Sequence, residues 1–225
     1  MSALTVRDLG RVPYAEGLAL QRRLAEQRIA GTIGDTLLLL EHPPVVTLGR
    51  GARETSTPIS PDDLRRRGIE VFEIERGGDV TYHGPGQLVG YPILDLQALK
   101  PDLHWYLRQL EEALIAALGS FGIAAGRNTG YTGVWTGGRK IASIGIHVRQ
   151  WVTWHGFALN VTTDLSPFDL IVPCGIPNVV MTSVARETGR NDADLSSDVR
   201  DAVVQSFSAV FGYEPVAAPS LPSEA

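Results

Sequence analysis

The sequence predicts a single domain of the α+β class, a mixed α/β arrangement rather than a doubly wound one. Three observations point there. Segments with strand character outnumber those with helix character, and several are separated only by hairpin turns. Helices fall at the start, middle and end of the chain rather than between every pair of strands. At 225 residues, with no internal repeat and no linker-like stretch, one substantial core is the simplest organisation.

Tyr14 to Ala30 reads as an amphipathic helix, with Tyr14, Leu18, Leu24, Ala25 and Ile29 near one face and Gly31 and Gly34 ending it. Thr36 to Glu41 is a short continuous apolar run, the pattern of a strand buried on both sides. His42-Pro43-Pro44 breaks it, and Val45 to Gly49 resumes extended structure before a polar loop, 50–58. Ser60-Pro61-Asp62-Asp63 carries helix-start chemistry: a capping serine, proline in the first turn and acids facing the dipole. That helix stops at Gly68, and Ile69 to Glu75 alternates apolar and acidic residues as a half-buried strand does.

Leu88 to Leu96 reads as another strand, in which Pro92 predicts an edge or a bulge. The strongest helix runs from Asp102 to Phe121, with Gly122 after it. Tyr131–Trp135, Arg139–Val148 and Val152–Val161 follow as strands, the first two joined by a Gly137-Gly138 turn. Asp164 to Leu170 is a short helix and Leu195 to Phe211 a last amphipathic one, capped by Ser196 or Ser197. Residues 1–213 are read as the one domain, and the Pro-, Ser- and Ala-rich segment 214–225 as a frayed tail.

Composition bounds the chemistry. Hydrophobic residues make up 44% and charged residues 20%, ordinary for a globular protein, and a net charge of −5 argues against nucleic acid as the main partner. No run approaches a membrane span, and the N-terminal residues lack the apolar core of a signal peptide, so a soluble cytoplasmic protein is the expectation. One cysteine, Cys174, excludes an intrachain disulfide and a CxxC site. Lysine occurs only at positions 100 and 140 among 20 basic residues, so each lysine is informative.

The stretch Arg76 to Gln87 reads Arg-Gly-Gly-Asp-Val-Thr-Tyr-His-Gly-Pro-Gly-Gln. Glycines suit backbone that turns or approaches another group closely. Interleaved with Arg76, Asp79, Thr81, Tyr82 and His83, they describe either the wall of a binding site or a polar connection. Cys174 lies between Pro173 and Gly175, which bend the chain there, although free cysteines are more often small core residues than nucleophiles. Strand alternation groups Lys140 with Ala142 and Ile144, so it either points inward or joins Arg139 as a solvated cation at a hairpin tip. The five histidines form no metal-ligand pattern, and no phosphate-binding glycine loop or GxSxG elbow is present.

Taken in order, Arg76–Gln87, the Gly-Arg-Lys-Ile-Ala-Ser run ending at Ser143, His155-Gly-Phe-Ala-Leu-Asn160 and Ile171-Val-Pro-Cys-Gly-Ile176 resemble the lipoyl (octanoyl) transferases. The resemblance runs from about residue 30 to about residue 190, placing a ligase-like core at 30–213. It implies the biotin/lipoate protein ligase fold, a mixed sheet with packed helices. It implies transfer of octanoyl from acyl carrier protein to a lysine of lipoyl domains, those of 2-oxoacid dehydrogenase complexes and the glycine cleavage H protein. Cys174 would carry the acyl group as a thioester, with Lys140 as its charge partner or as a base. Substrate-contacting positions implied are Arg76, Gly77, Gly78, Asp79, Val80, Thr81, Tyr82, His83, Ser143, Ile144, Gly145, Gly156, Phe157 and Ala158. No cofactor, metal, nucleic acid or membrane is implied. An ATP-dependent ligase of the same fold, or a non-catalytic module holding an acyl group, are the rival readings.

Overall fold

The computed structural model describes residues 2–218. An eight-stranded mixed sheet is the frame. Its strands are β1 (Ser2–Arg11), β2 (Thr36–Glu41), β6 (Gln87–Ile93), β7 (Ala125–Asn128), β8 (Tyr131–Thr136), β9 (Arg139–Arg149), β10 (Val152–Asn160) and β11 (Tyr213–Ala217), in the order β11-β1-β2-β6-β10-β9-β8-β7. A smaller sheet of β4 (Glu70–Glu73), β3 (Val45–Leu48) and β5 (Val80–His83) stands beside it. The helices are α1 (Tyr14–Ile29), α2 (Pro61–Arg66), α3 (Leu96–Leu99), α4 (Leu103–Gly119), α5 (Val184–Thr188) and α6 (Leu195–Phe211).

The apolar run of β2 is buried on both faces, as its composition requires. Leu37 and Leu39 pack into the core that α4 and α6 cover, while Leu38 and Leu40 meet Leu24 and Ala25 of α1 on the other side. Each such leucine contributes roughly 1.5–3 kcal/mol over an exposed one, so the two helical layers are held by one central strand. Ser60 caps α2 as its sequence predicts, its hydroxyl accepting from the Asp63 amide at 3.1 Å. The first turn of α6 is preceded by Asp194 instead of being capped by Ser196 or Ser197.

Two further expectations need correction. Pro92 lies in β6, which is central and not an edge. The bulge half of that reading fits, because the β6–β10 pairing runs only from Gln87–Asn160 to Gly90–Phe157. Past it, His155 adopts a φ of 56° and the Thr153 hydroxyl donates to the Pro92 carbonyl at 2.7 Å. A proline with no N–H to give therefore sits where the ladder is already broken. The expected tail begins too early: Tyr213–Ala217 is a strand, parallel to β1, so that the two ends of the domain close one sheet edge together. The rest of that expectation, 219–225, lies outside the described residues. Among the described residues no helix is long and apolar enough to cross a membrane.

Candidate active site

Lys140 is 1% exposed, which settles the direction of its side chain. Its Nζ lies 3.1 Å from Cys174 Sγ and 3.3 Å from the Thr132 carbonyl, with the Trp135 ring 5.4 Å away. The inward path exists because position 133 is glycine. A Cβ there would stand 2.9 Å from Lys140 Cε and 2.6 Å from the Ala142 carbonyl, at a φ of +132°. The backbone of Lys140 is tied on both sides, its N–H to the Val180 carbonyl at 2.8 Å and its carbonyl to the Thr182 N–H at 2.9 Å.

Cys174 reaches the lysine on a single 3₁₀ turn, Pro173–Gly175, with φ 57° and ψ 20°. Left-handed backbone costs a non-glycine residue about 1–2 kcal/mol. Neighbouring bonds hold it there: Val172 donates to the Ser56 carbonyl at 2.8 Å, and Gly175 to the Val172 carbonyl at 2.9 Å. The Ser56 hydroxyl also donates to Asp79 Oδ2 at 2.7 Å, so one buried serine joins the cysteine turn to the glycine-rich stretch. Any side chain at Gly175 would meet that same Asp79 carboxylate.

The stretch 76–87 is half strand. β5 pairs antiparallel with β3, and its alternation sends Thr81 and His83 to the cavity while Val80 and Tyr82 pack the other way, Tyr82 edge-on to Phe168 at 5.5 Å. Val80, Tyr82 and Gly77 are therefore not on the cavity wall, although the motif as a whole is. Arg76 is buried, donating to the carbonyl and hydroxyl oxygens of Thr47 at 2.8 and 2.9 Å and to the Gly77 carbonyl at 3.1 Å. Among the described residues its Nε has no partner.

His83 is held by Gln87. Its Nδ1–H donates to Gln87 Oε1 at 2.7 Å, Gln87 Nε2 donates to Asn160 Oδ1 at 2.9 Å, and Asn160 Nδ2 donates to the Thr182 carbonyl at 3.0 Å. Thr182 is the backbone partner of Lys140, so the last residues of two motifs form a chain linking His83 to the lysine strand. Burial, first, and the neighbouring His42 push the His83 pKa down to about 3, leaving the ring neutral near pH 7.

Strand register explains the two short motifs. Ser143, Ile144 and Gly145 of β9 stand opposite Ala158, Phe157 and Gly156 of β10. All six line one cavity of about 190 Å³ together with Arg76, Gly78, Asp79, Thr81, His83, Lys140 and Cys174. Ser143 Oγ lies 3.8 Å from Cys174 Sγ. The cavity also takes Tyr14, Val89, Tyr91, Gly130 to Thr132, His155 and Ile176, none of them among the expected substrate-contacting positions, although His155 opens and Ile176 closes one of the motifs. Tyr14 looked like one more core position of α1, and Tyr91 like one more strand residue. The packing that turns them toward a ligand leaves no local signature.

A half-buried thiol beside a buried amine, in a partly open and largely apolar cavity, can exchange acyl groups. Comparison with known proteins bears on which. Residues 13–208 match the lipoyl protein ligase A/B catalytic domain. The octanoyltransferase of Solibacter usitatus is 52% identical over 216 residues, covering 96% of each chain. That of Myxococcus xanthus is 50% identical over 225 residues, 97% of this chain, and this chain spans 62% of its length. Among solved structures, lipoate-protein ligase A bound with ATP superposes with a TM-score of 0.74 at 18% identity, covering 97% of this chain and 90% of its own.

Proposed function

The chain belongs to the lipoyl protein ligase A/B catalytic domain family, and from that premise we propose that it is an octanoyltransferase. It takes octanoyl from acyl carrier protein and gives it to the lysine of a lipoyl domain, in 2-oxoacid dehydrogenase complexes or the glycine cleavage H protein. Relatives named octanoyltransferase at about half identity over nearly the whole chain support the acyl group and the reaction class. The observation that carries the chemistry is the 3.1 Å contact between Lys140 Nζ and Cys174 Sγ.

An ordinary thiol is only a few per cent thiolate at neutral pH, and an ammonium at hydrogen-bond distance favours the ionised form. In the first step the Cys174 sulfur attacks the thioester carbonyl carbon. A carbon–sulfur bond to Cys174 forms, the bond to the carrier sulfur breaks, and the proton from Cys174 ends on the departing carrier thiol. One thioester replaces another, so the exchange is nearly balanced. In the second step the acceptor amine attacks the same carbon, a C–N bond forms, the C–S bond breaks and Cys174 recovers a proton. Thioester to amide is downhill, so no ATP is required.

The acceptor must lose a proton to attack. Once Cys174 is acylated, the negative charge paired with Lys140 is gone. With that first proton lost to solvent, the Lys140 amine can take the proton that the attacking nitrogen sheds on becoming an amide and pass it to the departing sulfur. Arg76, Gly78, Asp79, Thr81, His83 and the facing pairs of β9 and β10 hold the acyl group against this pair. The test is transfer itself: octanoyl-carrier protein and a lipoyl domain, without ATP, should give octanoylated lysine, and strict dependence on ATP contradicts the proposal in favour of a ligase.

A further inference from the structure

We infer that a wall of buried rings, with Tyr91 and His155 facing the methyl end of the chain, closes the acyl cavity and sets the longest acyl group accepted. This rests on the acyl-transfer reading above. The reacting end of the cavity is at Ser143, whose hydroxyl is 3.8 Å from Cys174 Sγ. Ser143 stands opposite Ala158, and three steps along the same ladder Ile146 stands opposite His155. Three steps at roughly 3.3 Å per residue make roughly 10 Å. An octanoyl group has seven carbon–carbon bonds of about 1.5 Å, and their zigzag reaches roughly 9 Å. On the adjacent strand β6, Val89 is level with Ala158 and Gly90 with Phe157, which brings Tyr91 to the same end as His155.

Both residues line the cavity, and behind them the rings are continuous. Tyr91 and His155 are 6.3 Å apart, Tyr91 and His42 5.9 Å, His42 and Tyr14 4.9 Å, and Tyr14 and His83 6.2 Å. Neither end residue is free to move aside. The Tyr91 hydroxyl donates to His42 Nε2 at 2.7 Å, because His42 Nδ1 is already donating to the Val12 carbonyl at 2.7 Å. The His155 backbone N–H is held by Gln21 Oε1 at 2.9 Å, and its φ of 56° turns the residue out of the strand alternation. The residue is 2% exposed and, among the described residues, its Nε2 has no hydrogen-bond partner, the nearest carboxylate oxygen of Glu75 being 3.9 Å away.

An apolar pocket alone cannot impose an upper limit. Each further buried methylene improves binding, two of them by roughly fifteenfold, so a longer chain is refused only where something rigid blocks it. A decanoyl chain in this cavity must break the Tyr91–His42 bond or press into the His155 imidazole.

The test loads the full-length protein with a mixture of hexanoyl-, octanoyl-, decanoyl- and dodecanoyl-acyl carrier protein and reads the adduct masses on Cys174. Two variants are compared with wild type: His155→Gly, in which glycine suits the positive φ, and Tyr91→Leu. The decanoyl-to-octanoyl adduct ratio should rise by about tenfold or more in either variant, the ratio itself being limited to the roughly fifteenfold preference that two buried methylenes give in an unblocked pocket. An unchanged ratio in both overturns the inference. Loss of all acylation in both also overturns it, since the rings then support the fold and not the length limit. A wild-type protein that takes no octanoyl on Cys174 refutes the transferase reading itself, a separate outcome.

Discussion

Replacing Lys140 with methionine keeps an unbranched buried chain of similar reach and removes only the charge and the proton. The ammonium is 3.1 Å from Cys174 Sγ. At an effective dielectric of about 20, unit charges at that distance attract by about 5 kcal/mol, an upper bound, since both groups also lose hydration. The two half-reactions should suffer differently. Acylation loses only the contact of the ammonium with the attacking sulfur and should slow the less of the two. Transfer to the amine loses about 10²–10⁴-fold, the usual contribution of a positioned proton acceptor. Rapid-quench intact mass separates the steps: the rise of octanoyl on Cys174 first, then its decay from preloaded enzyme when a lipoyl domain is added. Decay in Lys140→Met within about threefold of wild type would refute the second role, leaving Lys140 only as a charge partner.

Other consequences are open to measurement. Gly133→Ala puts a Cβ 2.9 Å from Lys140 Cε at a φ of +132°, so stability in urea should drop by about 1–3 kcal/mol and acylation should slow with it. Wild-type stability would show that the backbone moves away freely. His42 and His83 are buried with pKa values pushed down to about 4 and about 3, burial being the first cause for each. Lowered folded values mean the unfolded chain binds the protons first, so this stability is full above about pH 6.5 and is lost as the pH falls toward the folded values. Between pH 6.5 and 5 each histidine should cost up to about 2 kcal/mol, seen as a falling denaturant midpoint; a flat midpoint contradicts it. Gln87→Leu cuts the link from His83 to Asn160, and octanoyl loading should weaken in KM more than in kcat. An equal loss in both would argue against a positioning role.

Long periodic segments are legible in the sequence alone. The helices α1, α4 and α6 and the strands β2 and β8–β10 carry enough apolar spacing to declare themselves. The strands β1 and β11 do not, because what makes them strands is a parallel pairing between the two ends of the chain, which no local window contains. β7, Ala-Gly-Arg-Asn, is an edge strand of poor strand formers. Pro92 argued for an edge and is found in the middle of the sheet, at a break that His155 makes on the neighbouring strand. The site follows the same division. Cys174, Lys140 and the motifs stood out by residue type and order, but not which side chains face one another. Alternation in β5 removes Val80 and Tyr82 from a wall that the motif, read as a string, had filled completely. Tyr14, Tyr91 and Ser56 entered only through packing.

The most direct measurement is intact mass of the protein after mixing with octanoyl-acyl carrier protein in the absence of ATP. One octanoyl group should appear on the wild type, map to Cys174, and be absent from Cys174→Ala. An octanoyl adduct of equal yield on Cys174→Ala, or none on the wild type until ATP is supplied, would contradict an acyl-enzyme built on the Cys174–Lys140 pair.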